Sequence, residues 1–329
     1  MNSPAVPRGW RIVGAGAVAV AAALGAPGLH AQAWPLKQVR LVVPFAPGGG
    51  ADIVGRMLAS RLADATGQPV LVDNRAGAGG NVGAEVVAKA PADGYTVLLT
   101  TNSIAVNASL YPKLAYSLVR DLAPVSLIAN IPLVLVVHPS VPAKTVKEMV
   151  GLAKARKGGL NYGSNGSGTT SHLSGVLFAT EAGVTMTHVP YKGGGPVMTA
   201  LLSGEVDFGF TAIITAQPYL RSGRLRAIAV TTPKPSPAAP GLPTVAASYP
   251  GFETELWHGV FLPTGTPEPV ASRLHEEVMK ALRSTEMRGA LERDGATPVG
   301  TTPAEFTAIL VREVEKYARL VKLSGAKPE

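Results

Sequence analysis

The sequence predicts an α/β fold made of two lobes, each with a mostly parallel sheet flanked by helices. Short runs of β-branched and aliphatic residues alternate with segments of helical periodicity from residue 39 to residue 231. Such alternation is typical of parallel strands joined by right-handed helical crossovers. Glycine-rich turns separate the two kinds of segment, and only 5% of the residues are aromatic. We therefore expect small side chains to pack the helices on the sheets.

The first lobe begins with the most informative segment of the chain, residues 39–58. A run of β-branched and aliphatic residues predicts a buried strand at 39–45, which passes through three glycines at 48–50 into a helix. From there the pattern predicts a helix at 51–63, a strand at 69–73, a helix at 81–89, a strand at 96–100, and two extended segments at 123–129 and 133–138 joined through 130–132.

The second lobe repeats this alternation. Helices are predicted at 146–156, 169–181, 196–203 and from about 213, strands at 160–162, 185–189, 206–210 and 225–231, a proline-rich link at 232–250, and C-terminal helices at 267–283, 286–293 and 303–323. Because the C-terminal helices bring only short strands of their own, at 259–262 and 297–299, we expect them to complete the first lobe. The predicted lobes are residues 34–132 with 258–329, and residues 133–257.

The N-terminus has the layout of a secretory signal peptide. Arg8 and Arg11 precede an apolar run at 12–26, and the sequence AQA at 31–33 fits a small-x-small cleavage site. The alternative is a membrane anchor, which is disfavoured because the run is shorter than the roughly 20 residues that span a bilayer. We therefore expect a soluble product that is exported to the periplasm and cut after Ala33.

Charge and cysteine content exclude several classes of protein. The net charge is +8, but the basic residues are scattered and form no stripe with interleaved aromatic residues, so nucleic acid is not an expected partner. Without cysteine the sequence has no disulfide, no thiolate nucleophile and no Cys-containing metal site. Its six histidines lack the spacing of a metal-binding motif. We expect neither a metal nor a cofactor.

Three polar, glycine-rich loops are the candidate binding elements. Residues 48–52, 164–171 and 191–196 each follow a predicted strand and open a predicted helix. The uncovered N–H groups of such a loop and the positive end of the helix dipole together favour an anion. Hydroxyl groups in the second loop add donors suited to a carboxylate. The alternative is that the glycines only form tight turns and that the hydroxyls cap helices. Three such loops in one α/β chain favour a binding cleft between the lobes.

Individual side chains in and near these loops have competing interpretations. Asp52 stabilises the first turn of its helix, fixes the loop, or accepts a hydrogen bond from a ligand amine. Lys192 supplies a cation to the cleft or is solvated, and His172 caps or packs a helix more readily than it acts as a base. The polar strand end at 100–103 reaches the cleft or bonds to its own backbone.

Catalytic motifs are absent from the sequence. It contains no Gly-x-Ser-x-Gly and no phosphate-binding P-loop. Gly77 and Gly79 start like a dinucleotide-binding fingerprint, but Val82 occupies the place of the third glycine. Because residues distant in sequence can meet in a cleft, an exported hydrolase that uses the serine- and threonine-rich loop remains the alternative to a binding protein.

Long segments of the chain carry a family resemblance. They include VRLVVPFAPGGGADIVGRML, GQPVLVDNRAGAGGNVGAEVVAKAPADGYTVLLTT, NYGSNGSGTTSHLSGVLF and HVPYKGGGPVMTALLSGEVDFGF. In this order they resemble the Bug family of periplasmic solute-binding proteins, the receptors of tripartite tricarboxylate transporters. The resemblance covers essentially all of the chain after the predicted signal. It implies a type II periplasmic-binding-protein clamshell that holds a small organic carboxylate and delivers it, unchanged, to membrane permease subunits.

The resemblance also implies which residues contact the ligand. The loop matching 45–52 holds a carboxylate through N–H groups and ordered water, and the loop matching 164–171 meets its other side. The strand end at 101–103 and the loop at 192–193 complete the wall. The candidate ligand-binding residues are Phe45, Gly48, Gly49, Ala51, Asp52, Thr101, Asn102, Ser103, Ser164, Gly168, Thr169, Thr170, His172, Lys192, Gly193 and Thr211.

One position departs from the family pattern. Thr211 follows Phe208, Gly209 and Phe210, where relatives often carry an aspartate that can meet a ligand amine. The resemblance therefore favours a solute without an ammonium group. We expect a monomeric receptor for uptake. A receptor that presents its solute to a membrane sensor kinase would need the same clamshell and remains an open alternative.

Overall fold

The structure, a computed structural model, describes residues 34–324 and 326–328, and the signal peptide predicted at 1–33 lies outside them. Its strands are β1 (Val39–Val43), β2 (Val70–Asn74), β3 (Thr96–Thr101), β4 (Leu122–Val137), β5 (Leu160–Ser164), β6 (Met186–Pro190), β7 (Phe208–Ala212), β8 (Arg226–Val230), β9 (Glu255–Pro263) and β10 (Thr297–Pro298). Its α-helices are α1 (Gly50–Thr66), α2 (Asn81–Ala88), α3 (Ser103–Leu110), α4 (Leu118–Asp121), α5 (Val146–Ala155), α6 (Thr170–Ala182), α7 (Gly194–Ser203), α8 (Ile213–Arg221), α9 (Glu268–Arg283), α10 (Thr285–Arg293) and α11 (Pro303–Ser324).

Strand β4 belongs to both sheets. Over its first part, from Leu122 to Pro132, it pairs antiparallel with β9. Over its last part, from Leu133 to Val137, it pairs antiparallel with β7 and with β8. Its partners therefore change between Pro132 and Leu133, opposite the point where β9 begins at Glu255. One continuous strand joins the two halves of the molecule.

Parallel pairs form the outer part of each sheet. In the first sheet β2, β1 and β3 are parallel, and in the second β6, β5 and β7 are parallel. The antiparallel strands β9 and β4 lie between them, in the order β2-β1-β3-β9-β4-β7-β5-β6. Each sheet is therefore mixed, because β9 runs opposite to β3 and β4 in the first sheet, and β4 runs opposite to β7 and β8 in the second. The predicted two-lobed α/β fold is confirmed.

Two local features differ from the sequence-based expectation. The extended segments predicted at 123–129 and 133–138 form one strand, because Asn130 and Pro132 pair with Trp257 and Glu255 of β9. Helix α3 was not predicted. Its residues are buried on nearly every side, and a helix without a solvent face has no amphipathic periodicity from which to recognise it.

The C-terminal helix α11 packs on the first sheet. Phe306 lies edge-to-face on Trp257 with ring centroids 5.3 Å apart, and 5.0 Å from Phe261, both in β9. The hydroxyl of Tyr317, which is almost fully buried, accepts a hydrogen bond from Asn102 at the start of α3. These contacts hold the polar end of β3 in place beside β9.

Within the described ranges, none of the helices combines the length and the apolar character that crossing a membrane requires. The same residues contain no group of three or more His, Cys, Asp or Glu side chains placed to hold a metal ion.

Candidate functional site

Four helices begin at one cavity between the two sheets. The starts of α1, α6 and α7 line it, together with the residue that precedes α8. The lining residues are Phe45, Gly49, Gly50, Ala51, Thr101, Leu133, Asn165, Thr169, Thr170, Ser171, Gly194, Ala212, Leu256 and His258. The cavity volume is about 20 Å³, which is room for about one water molecule. The cavity as it stands is thus too small for an organic acid.

The charge around this cavity comes from the backbone. No Lys, Arg, Asp or Glu lies among the lining residues, and His258 is the one ionisable side chain among them. The first N–H groups of each helix have no partner within the helix, and each helix N-terminus carries about half a positive charge. Convergence of four such ends makes the cavity suited to an anionic group.

Asp52 fixes the loop that opens α1. Its carboxylate accepts hydrogen bonds from the Gly48 N–H (3.0 Å), from Asn74 Nδ2 (3.0 Å) and from Arg56 Nε (3.0 Å). Asn74 Nδ2 also donates to the Phe45 carbonyl at 2.9 Å. Burial opposes ionisation, but the bonds from Arg56, Gly48 and Asn74 outweigh it and lower the pKa of Asp52. Of its three interpretations, the structure shows Asp52 fixing the loop.

The hydroxyl groups of the second loop bond mainly to the loop itself. Thr169 Oγ1 donates to the Gly166 carbonyl at 2.6 Å and accepts from the His172 N–H, which caps α6. Ser171 Oγ lies 3.0 Å from Thr169 Oγ1 and accepts from the Asn165 N–H. These hydroxyls build the loop, so the backbone N–H groups at the start of α6 remain its principal donors.

Ser164 lies behind the loop, beside two stacked histidines. Its Oγ is 2.6 Å from His188 Nε2 and accepts from the Gly166 N–H. His188 stacks on His172 with ring centroids 4.1 Å apart, and His172 Nδ1 accepts from the Gly168 N–H. Burial lowers the pKa of His172 to about 4, and burial together with the neighbouring His172 lowers the pKa of His188 to about 3. Ser164 is fully buried and does not line the cavity, which is a poor position for a nucleophile.

Direct contacts between the halves hold the cavity closed. The Ala46 N–H donates to the Lys192 carbonyl at 2.8 Å, and Thr170 Oγ1 donates to Asn102 Oδ1 at 2.6 Å. The Tyr111 hydroxyl donates to the Ser167 carbonyl at 3.3 Å. Each bond joins an element packed on the first sheet to one packed on the second, so closure is stabilised by protein groups as well as by anything held in the cavity.

Several buried polar atoms next to the cavity have no hydrogen-bond partner. They include both ring nitrogens of His258 and Asn165 Oδ1, and both residues line the cavity. Buried polar groups are rarely left unpaired in proteins, so these atoms are free to bond to a molecule in the cavity. Among them His258 was missed from the sequence. The signal was a lone histidine in the apolar run LWHGVFL, just outside the strand predicted at 259–262.

The structure brings some of the predicted site residues to the cavity and keeps others away from it. Those that line it are Phe45, Gly49, Ala51, Thr101, Thr169 and Thr170. Those that support the lining from behind or beside it are Gly48, Asp52, Asn102, Ser103, Ser164, Gly168, His172, Lys192 and Gly193. Thr211 is buried on β7, but Ala212 is the residue of that strand end that lines the cavity. Successive strand residues face opposite sides of the sheet, so Thr211 points away. Lys192 is exposed and contributes its carbonyl to closure.

Comparison with known proteins identifies the family. The sequence profile described as "Tripartite tricarboxylate transporter family receptor" matches residues 54–325. The protein BugT of Bordetella pertussis is 38% identical over 309 residues, which cover 93% of this chain and 94% of BugT. The chain belongs to the tripartite tricarboxylate transporter receptor family. The predicted resemblance is thereby confirmed, and the family is one of solute-binding receptors rather than of enzymes.

Solved structures of related receptors share the fold closely. "R. palustris Rpa4515 with adipate" has a TM-score of 0.87 and 38% identity, and the match covers 90% of this chain and all of that one. The periplasmic binding protein BugD has a TM-score of 0.87 and 32% identity, with 90% of this chain covered and all of BugD. "MatC (Rpa3494) from Rhodopseudomonas palustris with bound malate" has a TM-score of 0.83 and 33% identity, over 88% of this chain and all of MatC.

Proposed function

We propose that this receptor binds a small carboxylic acid in the cavity between its lobes and delivers it to a membrane permease. The observation that carries this proposal is the convergence of four helix N-termini on a cavity lined by no lysine or arginine. A carboxylate there would accept charge-assisted hydrogen bonds from backbone N–H groups. The receptors solved with adipate and with malate, both carboxylic acids, support the same ligand class.

Binding would couple to movement of two lobes, which we propose comprise residues 34–132 with 258–329, and residues 133–257. The change of pairing in β4 between Pro132 and Leu133 supports a hinge at this boundary. The open form admits the solute, and closure is favoured by the contacts that the solute makes with both lobes at once. A micromolar Kd, about −8 kcal/mol of binding free energy, would allow both capture and release.

The solute would lack an ammonium group. No aspartate or glutamate lies among the residues that line the cavity, and a buried ammonium without a carboxylate partner is costly. The nearest acidic group on α1, Asp52, is already bonded to Arg56, Gly48 and Asn74. Amino acids are therefore expected to bind more weakly than acids of similar size that lack the amine.

Titration calorimetry of the protein without its first 33 residues tests the ligand class. The panel is mono-, di- and tricarboxylic acids, aromatic acids, amino acids and the neutral amides of the same acids. We expect at least one acid to bind with micromolar affinity and its amide not to bind. Equal binding of acid and amide would contradict the proposal, as would turnover of a carboxylic ester. Delivery is tested by uptake of the labelled acid into cells with and without the receptor.

A further inference from the structure

His258 is the ionisable side chain of the cavity. It lies in β9 opposite Thr101 of β3 and Ala129 of β4, is fully buried, and has no hydrogen-bond partner for either ring nitrogen. Alternation along β9 puts Leu256 and His258 on the cavity side, while Trp257 faces away and packs on Phe306. The imidazole is thus a fully desolvated group that the protein leaves unpaired at its binding cavity.

We propose that His258 is the specificity-determining residue for a dicarboxylic acid, and that it takes up a proton as it pairs with the second carboxylate. The inference rests on the proposed function and names the ligand class more closely. Helix N-termini hold a carboxylate through N–H groups and partial charges, and a second carboxylate in the same buried space is stabilised further by a full positive charge. Protonated imidazole supplies that charge, and the lining holds no other side chain that ionises.

Other charged groups around the cavity are already engaged. On α1, Asp52 pairs with Arg56. Beside α6, His172 accepts a hydrogen bond from Gly168 and stacks on His188. On the far side of β9, three groups of α11 are also paired: Glu313 with Trp257, Lys316 with Glu253 and Tyr317 with Asn102. The paired residues of β3 and β4, Thr101 and Ala129, do not ionise. Glu255 on β9 itself is exposed. His258 therefore has no carboxylate partner of its own within the described part of the protein.

The protonation state of His258 follows from its burial and from its lack of a carboxylate partner. Burial alone lowers the pKa of His258 to about 3, so the imidazole is neutral at neutral pH when the cavity holds no anion. A carboxylate in contact stabilises the charged form and raises the pKa. Binding of a dianion above the pKa of the free protein then carries one proton with it. Affinity for the dianion rises as the pH falls, by up to about tenfold per pH unit.

Calorimetry with adipate and hexanoate, acids of equal chain length, tests this proposal. Titrations at pH 7 in two buffers of different ionisation enthalpy count the protons taken up. We expect about one proton per adipate and none per hexanoate. The variant His258→Gln keeps a hydrogen-bond donor but cannot ionise, so it should take up no proton and bind adipate about 10- to 100-fold more weakly. Its affinity for hexanoate should fall by a smaller factor than its affinity for adipate.

The variant His138→Gln, outside the cavity, is the matched control and should behave as the parent protein. Adipate binding without proton uptake by the parent protein would overturn the inference and leave the proposed function standing, and this measurement does not depend on the folding of any variant. Equal adipate affinity in the parent and in His258→Gln would overturn it in the same way. Failure of every carboxylate in the wider panel to bind would overturn both.

Discussion

Gly49 of the first lobe lies directly against Gly194 of the second. A methyl group on Gly49 would sit 2.9 Å from the Gly194 nitrogen and 3.2 Å from its Cα, closer than a carbon atom tolerates. The two backbones meet at the N-termini of α1 and α7, where both residues line the cavity. The absence of side chains here therefore allows the two backbones to meet.

Replacement of Gly49 by alanine should hinder closure while leaving the fold intact. The backbone of Gly49 is extended (φ −89°, ψ 170°), which alanine adopts readily, so only the contact with Gly194 is disturbed. We expect at least a tenfold increase in Kd for the bound acid, about 1.4 kcal/mol, by calorimetry. Gly151→Ala, where no atom lies within 4 Å of the added methyl, is the matched control. Equal affinity in the two variants would contradict the proposed closure contact.

The hydrogen bond between Thr170 and Asn102 should stabilise the closed form. Thr170→Val keeps the shape but leaves Asn102 Oδ1 buried without a donor, at a cost of about 1–3 kcal/mol. We expect the Kd to rise about 5- to 150-fold and small-angle scattering to show a more open protein at equal ligand concentration. Thr170→Ser, which keeps the donor, should restore both values. A serine variant as weak as the valine variant would argue against this bond.

Asp52→Asn should destabilise the protein at neutral pH by about 1–3 kcal/mol, because it weakens charge-assisted bonds to Arg56 and Gly48. The pKa of Asp52 is lowered in the folded state. Its contribution is therefore present above its unfolded pKa of about 3.9 and is lost as the pH falls through the folded value. Urea unfolding measures the free energy of unfolding of parent and variant. The two values should differ at pH 7 and differ less at pH 3. Asp64 is exposed on the same helix. The control variant Asp64→Asn should therefore leave the free energy of unfolding nearly unchanged at both pH values.

The stacked pair His172 and His188 should make stability depend on pH between about 6.5 and 3. Burial lowers both pKa values in the folded state, so the unfolded chain binds more protons in this range and the free energy of unfolding falls as the pH falls. Each histidine contributes a slope of at most about 1.4 kcal/mol per pH unit. His188→Asn should reduce the slope, measured by urea unfolding, whereas His138→Asn should leave it unchanged. An equal slope in both variants would contradict the prediction.

Export should remove the first 33 residues. The AQA sequence at 31–33 predicts cleavage before Trp34. Intact-mass spectrometry of the protein recovered from the periplasm should give a chain that begins at Trp34. A recovered chain that retains its N-terminal residues would contradict the signal-peptide prediction.

The sequence predicted the elements whose pattern is local and missed those that depend on distant partners. Helix α1, predicted at 51–63, spans Gly50–Thr66, and Gly49 and Gly50 at its start line the cavity. The continuity of β4 depends on pairing with β9, more than a hundred residues away. His258 reaches the cavity through the same pairing, which its surroundings in the sequence do not reveal. At the end of β7 the residue that lines the cavity is Ala212, next to the predicted Thr211, because side chains alternate between the two faces of a strand.

Because β4 is shared by both sheets, the two lobes should unfold together. Neither sheet can lose its strands without uncovering an edge of the other, so heat or denaturant should melt the receptor in one step. If the lobes open as proposed, the backbone must turn near Pro132, where β4 changes partners, and near Glu255, where β9 begins.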